Sequence, residues 1–337
     1  MEKSMINAAL VGFGWWGRYI INSLKDSSKI NISQVVDIDA NAIRDTVSPY
    51  GAGVSSDYEE ALKNPEIDAV ILATPHSLHE QQVIAAAKAG KHVFCEKPLG
   101  LTKASAARSI AACEKAGVKL GIGHERRFEP ALMEIKRMID AGELGTIMHV
   151  ESNFSHDKLA NVAINDWRAS PIDAPAAGMT GMGIHLSDAY LNMFGPIAEV
   201  FAQTSQRLVQ SKSGDVVSVQ VRFENGATGY FSAILVTPLF LRYQVFGSKA
   251  WVEARNETHP DTKGVTHLSV YRTGEDPVVT TFEWVDAVRE NFHAFADYVT
   301  GSGEYPFTSK QKLANICVLE AICTSVNEGT VQKVDNE

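Results

Sequence analysis

Short apolar runs alternate with helical patterns through the first 125 residues. Ala8–Val11, Ile32–Val36, Ala69–Ala73, His92–Cys95 and Lys119–Ile122 read as strands, and the unbroken apolar run Ala69–Ala73 reads as a buried one. Helical periodicity fills the intervals over Trp16–Lys25, Ala40–Ser48, Leu78–Ala89 and Thr102–Ala116. Gly90 and Gly117 stop two of these helices, and Thr102 suits an N-cap. Strand–helix alternation of this kind predicts an α/β unit with a doubly wound parallel sheet over residues 1–125.

The pattern then changes to period two. Ile147–Phe154 alternates as a strand, and in Val217–Phe223 the residues Val217, Val219, Val221 and Phe223 share one face. Asn225-Gly226 predicts a hairpin turn, because both central positions tolerate positive φ. Further strands are expected over Tyr230–Val236, Arg242–Phe246, Trp251–Ala254, Leu268–Tyr271 and Val278–Trp284. Helices are expected over Gly183–Phe194, Asp286–Thr300 and Ser309–Val326. Residues 126–337 therefore read as an α+β domain with a mostly antiparallel open sheet.

Two domains also fit the length of 337 residues, since a single core stops growing at roughly 250–300 residues. The net charge of −9 argues against nucleic acid and anionic membranes as partners. No apolar run approaches the ~18 residues of a membrane span, and Ile6–Phe13 is too short and Gly-interrupted for a signal peptide. Cys95, Cys113, Cys317 and Cys323 form no C-x-x-C pair, and the histidines lack metal-ligand spacing, so no metal is expected. Thiols without a leader point to the cytoplasm.

The chemistry concentrates at strand ends. Gly12-Phe13-Gly14-Trp15-Trp16-Gly17 follows the first strand and opens a helix, as a pyrophosphate-binding turn does. In that reading Gly12 permits the tight turn, Gly14 lets the backbone approach the phosphates, and Gly17 lets helix and strand pack closely. Asp37 lies about twenty residues beyond Gly17, at the end of the second strand, where it would hold ribose hydroxyls. It would repel a 2′-phosphate, and Ile38 supplies no compensating cation, so NAD is favoured over NADP. The alternative for Asp37 is a loop acid or helix cap, and Asp39 could cap the next helix. Ala73-Thr74-Pro75-His76-Ser77-Leu78-His79 ends another strand, placing Ala73, Thr74, Pro75, His76 and His79 along the cofactor; His76 and His79 could equally serve the helix start. Glu96-Lys97-Pro98 follows a fourth such strand and presents Lys97 toward the crevice where open α/β sheets bind ligands.

Gly12-x-Gly14-x-x-Gly17, Ala73-Thr74-Pro75 with His79, Glu96-Lys97-Pro98-Leu99 and Arg126-Arg127-Phe128-x-Pro130 together resemble the glucose–fructose oxidoreductase, inositol dehydrogenase and rhizopine-catabolism (Gfo/Idh/MocA) family. So do Trp167-Arg168, Gly178, Gly183-x-His185-x-x-Asp188, Val245–Ala250 and Glu320…Ser325…Gly329, which carries the likeness over nearly the whole chain. The resemblance implies a Rossmann domain and a second domain whose open sheet mediates homodimers or homotetramers. It implies NAD(P)-dependent oxidation of a secondary alcohol on a sugar, inositol or sugar-derived acid, or the reverse reduction. Lys97 matches the family's catalytic lysine, His185 its active-site histidine, and Arg168 an arginine near nicotinamide and substrate. Two positions depart from the family pattern. Gly181 stands where many members carry an Asp four residues before the histidine, and Glu125 stands where Asn is common.

As an ammonium, Lys97 could stabilise a developing alkoxide; in a partly dehydrated pocket it could act as base. Its alternative is a structural lysine paired with Glu96. His185 could share the proton or fix the reacting hydroxyl, or it could be a core histidine. Asp188, three residues on, could orient it. Arg168 could grip a substrate oxygen or pair with Asp166 or Asp173. Asn153, His156, Trp167 and Thr180 complete the expected substrate contacts. Two further readings stay open: a sugar lyase or glycosidase that uses bound NAD transiently, and a dinucleotide sensor without catalysis.

Overall fold

The computed structural model describes residues 5–209 and 211–336. They form two compact units, residues 1–125 with 286–313 and residues 126–285 with 314–337. No helix of the described residues is long and apolar enough to cross a membrane.

The first unit opens with β1 (Ile6–Val11), α1 (Trp15–Leu24), β2 (Ile30–Val36), α2 (Ala40–Val47), β3 (Gly53–Ser55) and α3 (Tyr58–Lys63). It continues with β4 (Ala69–Leu72), α4 (His79–Lys88), β5 (His92–Cys95), α5 (Lys103–Ala116) and β6 (Leu120–Ile122). The strands form one six-stranded sheet in the order β3-β2-β1-β4-β5-β6, parallel throughout. Chain direction across the sheet reverses between β1 and β4, and ligands bind beyond the strand ends at such a point. Ala69, Val70, Ile71 and Leu72 are wholly buried, which explains the unbroken apolar run of β4. Thr102 caps α5 as expected, accepting a hydrogen bond from the Ser105 amide at 3.2 Å. Asp39 sits at the N-cap of α2 but makes no side-chain cap bond.

The second unit holds α6 (Pro130–Asp140), β7 (Ile147–Ser155), α7 (Gly183–Phe194), β8 (Ile197–Ser205), β9 (Val216–Phe223) and β10 (Thr228–Ile234). Then come β11 (Phe240–Gly247), β12 (Ala250–Asn256), β13 (Val265–Arg272), β14 (Val278–Glu283) and the short β15 (Gln332–Lys333). Its nine-stranded sheet runs β14-β13-β12-β11-β7-β10-β9-β8-β15, with β7 and β10 its one parallel neighbour pair. At the β9–β10 hairpin Gly226 takes φ +90° and Asn225 does not take positive φ. Asn225 instead fixes the turn through its side chain, accepting from the Ala227 amide and donating to the Phe194 carbonyl, both at 3.0 Å.

The boundary after residue 125 coincides with a unit boundary, but residues 126–337 are not one piece. Helix α8 (Ala287–Thr300) belongs to the first unit, and α9 (Ser309–Glu328) begins in the first and continues in the second. Aromatic packing accounts for the return of α8. Phe292 stacks on Phe94 of β5 with ring centroids 4.0 Å apart, and Phe295 meets the same ring edge-on at 5.4 Å. Gly121 of β6 makes room, since a Cβ there would lie 2.7 Å from both the Phe94 and Phe295 rings. Tyr305 ties the following loop to β6, accepting from the Ile122 amide at 3.0 Å and donating to Asn291 at 2.7 Å.

Candidate active site

The glycine-rich turn joins β1 to α1 next to the end of β4. Gly12 takes φ +92°, and a Cβ on it would lie 2.6 Å from the Ala73 carbonyl oxygen. A Cβ on Gly17 would strike the Gly12 carbonyl, whereas one on Gly14 would meet nothing within 4 Å. Two glycines thus serve chain packing, and the third leaves open space at the start of α1. That helix carries no side-chain N-cap. Open space, a bare helix start and its partial positive charge fit the pyrophosphate of a dinucleotide. Phe13 is buried, Trp16 stacks on Tyr19 with the rings 3° from parallel, and Trp15 is 55% exposed.

Asp37 ends β2 beside this turn. Its Oδ2 accepts from the Phe13 amide at 2.7 Å, and its Oδ1 from the Asp39 amide at 3.0 Å. Each oxygen keeps a further acceptor position. Ile38, 99% exposed, adds no charge.

At the end of β4, the Ala73 amide donates to the Val11 carbonyl at 2.8 Å, and Thr74 Oγ1 donates to Gln82 Oε1 at 2.5 Å. Pro75 precedes a 3₁₀ turn over His76–Leu78. His79 is fully buried, with Nδ1 2.7 Å from the Pro98 carbonyl and Nε2 3.1 Å from that of Thr74. It therefore links the β4 loop to the Glu96-Lys97-Pro98 loop, whose Lys97–Pro98 peptide is cis. Lys97 is partly exposed. Glu96 beside it is buried, and its carboxyl lies against Gly123, just beyond β6. Burial, and then the Glu125 carboxyl, push Glu96 up to about 8, against opposing pulls from the Trp16 indole and Lys97. Glu125 thus acts on the neighbour of Lys97.

In the second unit, His185 occupies the first turn of α7 and is buried. Asp188 does not serve it. Both Asp188 oxygens accept from Arg127, at 2.8 and 2.7 Å, in a buried two-pronged ion pair. Ser187 donates to Asn315 of α9 at 2.6 Å, which braces α7 from behind. A Cβ on Gly181 would lie 3.2 Å from Leu159 Cδ1, so an apolar side chain borders that position. Thr180 is buried in the turn before α7. Ala176 and Ala177 both take φ +54°, an uncommon conformation for residues with a Cβ, as the chain bends toward α7.

The expected substrate residues separate. Phe154 of β7 contacts His185 and His156, with ring centroids 6.3 and 5.3 Å away, so these three lie together. Asn153 points to the opposite face of the sheet by strand alternation and donates to Ser232 at 2.7 Å; it is not part of this group. Arg168 takes the arrangement of its alternative reading. It is 3.3 Å from Asp166 and stacks its guanidinium 4.2 Å from the Trp167 ring centroid.

Two neighbours of His156 escaped the sequence reading. His259 lies 5.0 Å from the His156 ring and 5.6 Å from Phe154. Its Nδ1 is 2.6 Å from Asp261 Oδ1, and Asp261 Oδ2 accepts from Lys158 at 2.6 Å. Burial, then His259 and the nearby cations, push His156 down to about 3; burial likewise lowers His259. Burial alone would raise Asp261, but hydrogen bonds from His259, Lys158 and Thr262 outweigh it and hold the carboxyl below its usual range. The His-x-Asp spacing at 259–261 was the available signal, but a turn between two strands gave no reason to connect it with His156.

Residues 6–124 match the model of an oxidoreductase family with an NAD-binding Rossmann fold, GFO_IDH_MocA, and residues 132–253 match the GFO/IDH/MocA C-terminal domain. The chain is 30% identical to D-xylose 1-dehydrogenase (NADP(+)) 2 of Haloferax volcanii, covering 88% of this chain and 89% of that one. It is 31% identical to myo-inositol 2-dehydrogenase of Thermotoga maritima, covering 73% and 74%. The crystal structure of aldose-aldose oxidoreductase from Caulobacter crescentus, complexed with glycerol, superposes with a TM-score of 0.86 at 25% identity, over 98% of this chain and 99% of that one.

Proposed function

This chain belongs to the Gfo/Idh/MocA family of NAD-binding oxidoreductases, and from that premise we propose that it is an NAD-dependent dehydrogenase or reductase. Its substrate would be a secondary alcohol, or the matching ketone, on a sugar or cyclic polyol. The observation that carries the cofactor half is the open space at Gly14 beside the uncapped start of α1, with Asp37 alongside. Gly12, Phe13, Gly14, Trp15, Trp16 and Gly17 would hold the pyrophosphate. Asp37 would take the ribose hydroxyls and disfavour a 2′-phosphate, while Ala73, Thr74, Pro75 and the Glu96–Lys97 loop would border the nicotinamide.

When bound, the nicotinamide supplies the hydride acceptor or donor. Lys97 Nζ stabilises the substrate oxygen as its proton leaves and can take that proton itself. His185 is assigned to the same reacting hydroxyl, as the second proton carrier. Such positioned acid–base groups contribute roughly 10²–10⁴-fold. The buried Asp188–Arg127 pair fixes α7, and with it the backbone that carries His185. Gly181 cannot exchange a proton, so Lys97 and His185 would act without the carboxylate that many relatives have. We also assign the outward face of the nine-stranded sheet, where Phe246, Trp251 and Tyr271 lie in a row, to self-association. The free thiols of the four cysteines suit a cytoplasmic location.

The test is titration with NADH and NADPH, read by nicotinamide fluorescence. Tight NADH binding with poor NADPH binding supports the reading; NADPH preference overturns the role of Asp37.

A further inference from the structure

His156 and His259 surround Phe154 together with His185, and each uses Nδ1 within its own segment. His156 Nδ1 accepts from the Lys158 amide at 3.2 Å, so in the neutral ring the proton sits on Nε2. His259 Nδ1 faces the Asp261 carboxylate at 2.6 Å. The Asp261 amide lies 3.3 Å from the same nitrogen, but the shorter contact to a charged acceptor decides the tautomer. His259 Nδ1 thus carries the proton, and its Nε2 is an acceptor. Among the described residues neither Nε2 has a hydrogen-bond partner. A donor and an acceptor therefore stand on two largely buried rings 5.0 Å apart, next to the ring that contacts His185.

We propose that His156 and His259, the latter oriented by Asp261, recognise adjacent hydroxyls of the substrate and select a neutral sugar or polyol over a sugar acid. His156 Nε2–H donates to one substrate oxygen, and His259 Nε2 accepts from the neighbouring hydroxyl. Charge favours the same choice. Of the cations beside the two histidines, Arg126 is matched by Glu129 and Lys158 by Asp261, so a substrate carboxylate there must compete with a protein carboxylate for either one. Both histidines are held neutral at pH 7 by burial. This assignment deepens the dehydrogenase reading and rests on it for the identity of the site.

The test uses the full chain and two readouts. One is calorimetric binding of myo-inositol, D-xylose, D-glucose and their monodeoxy analogues, against D-gluconate and D-glucuronate, to the protein–NADH complex. The other is oxidation of the same panel with NAD. Neutral members should bind and react better than the acids. His259→Ala should raise KM about tenfold on the best neutral substrate, with kcat less affected. The effect should shrink on the analogue lacking the recognised hydroxyl and partly recover in His259→Gln, which keeps an acceptor. Asp261→Asn should move KM in the same direction by less. Preference for the acids, or a His259→Ala loss equal on full and deoxy substrates, overturns the inference and leaves the dehydrogenase reading intact. Binding that depends on His259 without any oxidation sustains the inference and overturns the dehydrogenase reading; no binding of any member overturns both. If His259→Ala melts early, the wild-type preference and Asp261→Asn decide.

Discussion

Glu96→Gln replaces a buried acid with its neutral near-isostere beside Lys97. The wild-type carboxyl ionises at 4.5 when free and at about 8 in the folded chain, because burial and the Glu125 carboxyl disfavour its charge. Between these values the unfolded chain gives up the proton before the folded chain does. Folding stability therefore falls as pH rises through that window, with no contribution below it and the full loss above it. Each unit of separation corresponds to about 1.4 kcal/mol, so Glu96 alone should remove about 4 kcal/mol of stability between roughly pH 5 and pH 9. The glutamine variant, without a titrating proton, should lack this decline. Urea unfolding of both proteins across that range, followed by circular dichroism, measures the difference. Parallel stability curves, with wild type and variant losing equal stability toward pH 9, would refute the assignment of Glu96 as a buried acid that holds its proton at neutral pH.

The glycine turn makes a paired prediction. Gly17→Ala should lose several degrees of melting temperature, because its Cβ meets the Gly12 carbonyl, whereas Gly14→Ala should fold normally and weaken NADH at least tenfold. Melting curves and NADH titrations check both. Asp37→Ala should weaken NADH and reduce discrimination against NADPH; unchanged selectivity in competitive titration would count against the ribose assignment. Asp188→Asn should cost about 3–5 kcal/mol by leaving the buried Arg127 charge without its carboxylate. Denaturant unfolding of Asp188→Asn reads this directly, and a loss below about 1 kcal/mol would mean that the pair contributes little.

Much of the first unit is legible because its signals are local. Apolar runs such as Val70–Leu72, set between helical patterns, read as buried strands, and the contact that keeps Gly17 a glycine, with the Gly12 carbonyl, lies within one turn. Short elements escaped. β3 has three residues and α3 six, too few to establish a period, and α6 lay behind a motif read for its arginines. The return of α8 to the first unit depends on Phe94, Gly121 and Phe292, residues far apart in sequence, so composition could not reveal it. The same holds for the site. Lys97 and Asp37 declare themselves at strand ends, but the His259–Asp261 pair becomes visible only when the loop after β12 is brought beside Phe154. Asn153 stands apart from Phe154 because one step along a strand reverses the face.

The most direct test of the account mixes protein with NAD and the neutral sugar and polyol panel, counting reduced nicotinamide against product, for wild type and Lys97→Met. The account predicts one reduced nicotinamide per product molecule from wild type. It predicts a loss of roughly 10²–10⁴-fold in Lys97→Met, with NADH affinity retained. Substrate consumed without net reduction of NAD, or turnover undiminished in Lys97→Met, would contradict it.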